Sequence, residues 1–215
     1  MNALNIRRKY TQETLAQLRA SLAEASQRLC GGADTAAVAC VYATGSFGRG
    51  EACEHSDLDA FIGGLSEQDR EGKFVGNRLS RLNEICLKAE LVKATRKMKL
   101  PDFDGDGAYL QHYSVEHLLS SLGMPNDDYE NTFTARVLLL LESKPLLGED
   151  VYWKLIDEVI ASYWRDYGDH EENFVPTFLL NDILRLWRTL CVGYEARTKP
   201  TPNTEKAKRR EKNYK

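Results

Sequence analysis

The sequence predicts an α/β (α+β) fold: a small mixed sheet flanked by helices over residues 1–123, followed by an all-helical domain over residues 124–215. Three observations predict it. Apolar runs near residues 36–43 and 57–62 read as two strands joined by a glycine-rich turn. A long polar-and-apolar stretch of helical character leads to a third strand-like run at 108–113. From Asn126 onward the pattern is helical, broken only at Pro145, Gly148 and Pro176.

Composition bounds the class. The chain has 215 residues, 42% hydrophobic and 28% charged, which suits one large or two small globular domains. The formal net charge of −3 supplies no global basic field for nucleic acid. No apolar run is long enough to cross a membrane. Met1 to Tyr10 lacks the apolar core of a signal peptide. Cys30, Cys40, Cys53, Cys86 and Cys191 are odd in number and scattered, so reduced thiols in a cytoplasm are expected rather than disulfides or zinc. His55, His112, His117 and His170 show no metal-binding spacing.

The elements follow in order. Thr11 to Cys30 reads as an amphipathic helix with Leu15, Leu18, Leu22 and Leu29 near one face, ended by Gly31-Gly32. The two strands come next, the second carrying Asp57 and Asp59. Ser66 reads as the N-cap of a long helix reaching Lys99, weakened near Gly72 and Gly76, with Leu79, Leu82, Cys86 and Ala89 as its buried stripe. An acidic loop, Pro101 to Gly107, precedes the third strand. It does not fit a calcium-binding loop, because position 12 counted from Asp102 is Tyr113 and not a bidentate Glu.

Val115 to Leu122 reads as a short helix. Tyr129 to Ser143 contains Val137 to Leu141, apolar on all sides and therefore expected to be buried. Helices over 151–167 and from Pro176 to about Arg197 complete a bundle. On the last of these, Asn181, Arg185 and Arg188 share a face, beside apolar contacts from Leu180, Leu184 and Trp187 or Cys191. The two arginines either grip phosphate across a cleft between the domains or form salt bridges to Asp182 or Glu195. The basic tail, Lys199 to Lys215, is expected to be solvated or to start a helix that closes over the phosphates.

Chemistry concentrates in Thr44-Gly45-Ser46-Phe47-Gly48-Arg49-Gly50-Glu51 and Ser56-Asp57-Leu58-Asp59. Alternate residues of a strand face one way, so Asp57 and Asp59 project together. Paired carboxylates suit Mg²⁺, with Mn²⁺ as the alternative, and Mg²⁺ is commonly shared with substrate phosphates. A glycine-rich turn offers backbone N–H groups to an anion, Ser46 adds a hydroxyl and Arg49 a planar charged fork. Carboxylates and phosphate donors in this order point to a nucleoside triphosphate (NTP) with its metals.

Gly45-Ser46, ten residues, then Asp57-Leu58-Asp59 resembles the signature of the polymerase-beta-type nucleotidyltransferases. The Gly-Arg-Gly-Glu and Ser-Asp-Leu-Asp runs are most similar to the branch containing the PII uridylyltransferases. Leu141 to Glu149 resembles the helix end that follows the catalytic domain in that branch. The resemblance implies transfer of a nucleoside monophosphate (NMP) from an NTP to an acceptor, with pyrophosphate released. It implies that Asp57 and Asp59 hold the metals and that Gly45 and Ser46 bind NTP phosphates. A third metal-holding carboxylate is implied at the strand after the long helix, which selects Asp106, with Asp104 as runner-up.

The acceptor is left open as a protein, a small molecule or an RNA end. The acidic net charge and the lack of a basic, aromatic-laced stripe argue against duplex DNA and a nucleic-acid polymerase. The alternative is a non-catalytic nucleotide-binding module or antitoxin-like regulator on the same fold. The intact Gly45, Ser46, Asp57 and Asp59 favour the enzyme.

Overall fold

The computed structural model describes residues 3–28, 35–103, 107 and 110–198. It is a mixed α/β protein. Its central sheet has four strands in the order β5-β2-β1-β6. These are β1 (Ala39–Ala43), β2 (Ala60–Gly64), β5 (His112–Ser114) and β6 (Lys144–Leu147). β1 runs antiparallel to both β2 and β6, whereas β2 and β5 are parallel.

β1 is buried at every position, because both faces of the sheet are covered. Ala39, Val41 and Ala43 point to one side, with Leu15, Leu18 and Leu22 of α1 (Ala3–Arg28) and Leu87, Leu91 and Ala94 of α3 (Arg81–Lys97). Cys40 and Tyr42 point to the other. There they join Leu118 of α4 (Val115–Ser120), Ala135 and Leu139 of α5 (Thr132–Leu141), and Leu155 and Val159 of α6 (Glu149–Tyr163). Helix α7 (Thr177–Thr198) packs on α5 and α6. The period-two alternation of one short strand thus feeds two cores. Among the described residues, no helix is long and apolar enough to cross a membrane.

Several expectations are corrected. The long helix expected from Ser66 begins only at Arg81. The preceding stretch is a hairpin of β3 (Ser66–Gln68) and β4 (Phe74–Asn77). Its turn is closed by the Asp69 carboxylate, which accepts the N–H groups of Glu71 and Lys73, both at 2.9 Å. Asp and Gly at a turn outweigh a weak helical pattern. The working N-cap is Ser80, whose hydroxyl accepts the Asn83 N–H at 3.2 Å. Ser66 instead accepts the Glu116 N–H at 3.0 Å. The helix starts fourteen residues later than expected and buries Leu87, Leu91 and Ala94. Of the expected stripe, Leu82 and Ala89 are exposed, Cys86 is half-buried, and Leu79 is buried ahead of the helix.

The region after residue 123 is not wholly helical, because Lys144–Leu147 forms β6 and closes one edge of the sheet. Pro145 sits on an edge strand, where a missing N–H is tolerated. The run Val137 to Leu141 is only partly buried, and Leu141 is exposed. The third strand is shorter and later than expected, at His112–Ser114. Gly31-Gly32, Asp104, Asp106 and the tail from Lys199 lie outside the described residues.

Candidate active site at the glycine-rich turn

The turn is built by β1 ending and the chain reversing through α2 (Gly45–Arg49) before β2. Phe47 is fully buried and anchors this short helix to the core. The connection from Gly50 to Ser56 is tied down locally. The Ala52 N–H donates to the Thr11 hydroxyl at 3.0 Å, and the Cys53 N–H to the Ser56 hydroxyl at 3.0 Å.

β2 begins at Ala60, so Asp57 and Asp59 lie just ahead of the strand rather than within it. The strand pairing extends by one step to Asp59 and does not include Asp57. The Thr44 N–H donates to the Asp59 carbonyl at 2.8 Å, which continues the β1–β2 ladder by one step. Leu58 is buried between them, while Asp57 is half-buried and Asp59 exposed. The apolar residue is held inward and both carboxylates are turned away from the core.

This ladder step sets Asp59 against Gly45. Gly45 has φ +59°, and a Cβ built on it would lie 2.5 Å from Asp59 Oδ2. Any side chain there would meet the carboxylate and adopt a strained backbone. The glycine-rich turn and the nearer carboxylate therefore occupy one place.

Glu142, at the end of α5, reaches the same turn. Its Oε1 accepts the Gly45 N–H at 3.2 Å, and its Oε2 accepts Arg49 Nη1 at 2.6 Å. Arg49 Nε also donates to Glu51 at 3.0 Å. Partial burial pulls the Arg49 pKa down, but Glu142 and Glu51 more than compensate and hold it above its ordinary value. At Gly48 a Cβ would lie 1.9 Å from the Glu142 carbonyl oxygen, so the two backbones touch. Sequence reading assigned no role to Glu142. The available signal was a carboxylate closing an apolar helix just before Lys144-Pro145. An open groove of about 460 Å³ runs from Gly48 and Arg49 past Glu142 to Trp153 and Ile156 on α6.

The structure brings Gly45, Ser46, Arg49, Asp57 and Asp59 to one end of the β1–β2 pair. Arg185 is engaged elsewhere. Its Nη1 donates to Asp127 at 2.9 Å and to Asp182 at 2.7 Å, and its Nη2 to Asp128 at 2.7 Å. The salt bridge expected to Asp182 is thus present, with two further carboxylates that the sequence did not indicate. Arg188 is exposed on the same helix. Among the described residues, no cluster of three or more His, Cys, Asp or Glu side chains is arranged to hold a metal ion. Asp106, the expected third carboxylate, and Asp104 lie outside the described residues. No family model, curated protein or solved structure matches the chain.

Proposed function

We propose that the chain is a metal-dependent nucleotidyltransferase of the polymerase-beta type, moving an NMP from an NTP to an acceptor and releasing pyrophosphate. The observation that carries this reading is the Asp59 carboxylate lying against side-chain-free Gly45. One place then combines an acidic group with a backbone position that carries no side chain.

The donor set suits Mg²⁺ or Mn²⁺: hard carboxylate oxygens from Asp57, half-buried, and Asp59, exposed. When bound, such a metal neutralises charge developing on the phosphoryl oxygens. Asp57 and Asp59 would hold it, with Asp106 or Asp104 as the proposed third carboxylate. Gly45 leaves space for the Asp59 carboxylate, and the Ser46 hydroxyl would donate to a phosphate oxygen. The acceptor oxygen, its proton passing to the third carboxylate or to water, bonds to the α-phosphorus as the bond to pyrophosphate breaks. Arg49 borders the site but is already committed to Glu142 and Glu51. Arg185 has no part in this proposal, because both its Nη atoms are held by aspartates.

The test is release of pyrophosphate from each NTP with Mg²⁺ and a panel of acceptors, comparing wild type with Asp59→Asn. Loss of a metal-holding charge at constant shape removes several kcal/mol of transition-state stabilisation, about a hundredfold or more in rate. Unfolding stability should stay within about 0.5 kcal/mol, because Asp59 is exposed. Equal turnover by Asp59→Asn, or turnover in EDTA, defeats the reading. The second reading is a non-catalytic nucleotide-binding module or antitoxin-like regulator on the same fold. NTP binding with no turnover under any acceptor selects it.

A further inference from the structure

Helix α7 meets the body of the protein through Leu179, Asp182 and Leu186. A second face carries Leu180, Ile183, Leu184, Trp187, Leu190 and Tyr194, which are 48% to 68% exposed. At 3.6 residues per turn these six side chains cover roughly 120° of the helix surface. Leu180, Ile183, Trp187, Leu190 and Tyr194 follow the alternating three-and-four spacing of a helix-pairing seam. Sequence patterning assigned Leu180, Leu184 and Trp187 or Cys191 to apolar contacts, and the structure leaves all four exposed.

The stripe also lies where the helix leaves the body. From Trp187 to Val192 every residue is exposed, so the second half of α7 has little packing beneath it. Helices of this length draw most of their stability from packing an apolar face, not from propensity. Residues 199–215, which follow directly, contain Ala207 and Tyr214 as their only hydrophobic residues and do not match the stripe.

We propose that the stripe is the seam of a homodimer, with α7 packed against α7 of a second copy. A two-fold axis presents the same patch on both sides, and the three-and-four spacing is complementary to itself. Six large side chains that are half to two-thirds exposed amount to several hundred Å² per copy, approaching the roughly 800 Å² that one side of a standard interface buries. Trp187 and Tyr194 are residue types that dominate such interfaces when covered.

The test is sedimentation equilibrium of the full chain over a concentration series. Wild type should form a closed dimer with a Kd of about 1 µM or below. The double variant Trp187→Glu/Leu190→Glu should weaken it by about a hundredfold or more, with unchanged circular dichroism. Trp187→Ser should weaken it by about tenfold, and this milder variant decides the matter if the double variant loses helix content. Tyr129→Ser, at an exposed site on another element, should leave the dimer intact. A wild type that stays monomeric at about 100 µM overturns the proposal. So does a dimer that either α7 variant leaves undiminished, one that Tyr129→Ser weakens equally, or growth into open-ended assemblies, which needs two different patches.

Discussion

Two clusters of charge sit in this molecule, and they are built in opposite ways. One is sealed among α5, α6 and α7. Arg136 and Asp127 are fully buried and Asp182 nearly so. Arg136 Nη2 donates to Asp127 at 2.7 Å and to Asp182 at 2.9 Å, its Nη1 donates to Asp127, the Leu118 carbonyl and Ser121, and its Nε reaches Tyr163. Arg185 adds a second cation at the rim. The other cluster is open. Asp57 and Asp59 face away from the core beside a turn that a side chain at Gly45 would obstruct. A buried cluster with its donors satisfied holds helices in register and offers nothing to a ligand. Carboxylates turned outward at the end of a strand pair are accessible from solvent.

Removing Arg136 should have the largest effect. Arg136→Met leaves Asp127 and Asp182 buried without their main cation, which costs about 3–5 kcal/mol. Urea unfolding measures it. A loss below about 1 kcal/mol would mean that the sealed cluster does not hold the helices together, and the contrast with the open one would collapse.

Gly45→Ala sharpens the contrast from the other side. The left-handed backbone costs about 1–2 kcal/mol with a Cβ present. The added methyl also displaces the Asp59 carboxylate from its place. Activity should fall about as far as in Asp59→Asn, whereas stability should fall much less than in Arg136→Met. Parallel urea and turnover measurements separate the two. Normal turnover in folded Gly45→Ala would detach Asp59 from the proposed chemistry.

Acid should weaken the sealed cluster specifically. Burial alone would raise the Asp127 pKa, but Arg136, Thr132 and Arg185 outweigh it and hold the carboxyl below its ordinary value. A depressed native pKa means that the unfolded chain binds the proton first. The stabilisation is therefore complete above about pH 4, near the unfolded Asp value, and is lost as pH falls below that through the lower native value. Unfolding free energies between pH 6 and pH 2.5 should show a steeper acid slope in wild type than in Arg136→Met. Equal slopes would show that Asp127 is not the group responsible.

The smallest effect is expected at Glu142, which links the open cluster to the end of α5. Glu142→Gln keeps an oxygen for the Gly45 N–H and removes the charge facing Arg49. Arg49 is nearly half exposed, so solvent screening limits the loss to under about 1 kcal/mol. NTP affinity should rise if the carboxylate competes with phosphate for this turn. Calorimetric titration of NTP into both proteins reads that directly, and an unchanged affinity would remove Glu142 from the site.

The sequence by itself determined what local chemistry controls. The apolar run of β1, the glycine break after it and the spacing of Asp57 and Asp59 follow from alternation and backbone freedom, which neighbours in sequence impose. The helix from Pro176 and the face of α1 through Leu15, Leu18 and Leu22 were legible for the same reason. Tertiary structure decided the rest. Local pattern pointed to Ser66 as the N-cap, and the Asp69 turn with the β3–β4 hairpin moves the cap to Ser80. Lys144–Leu147 becomes a strand because β1 has an open edge beside it. Arg185 faces aspartates rather than the turn because Asp127 and Asp128, far away in sequence, are folded onto it. The partner of a charge or a strand edge is fixed by packing between distant segments, and residue spacing within one segment does not carry it.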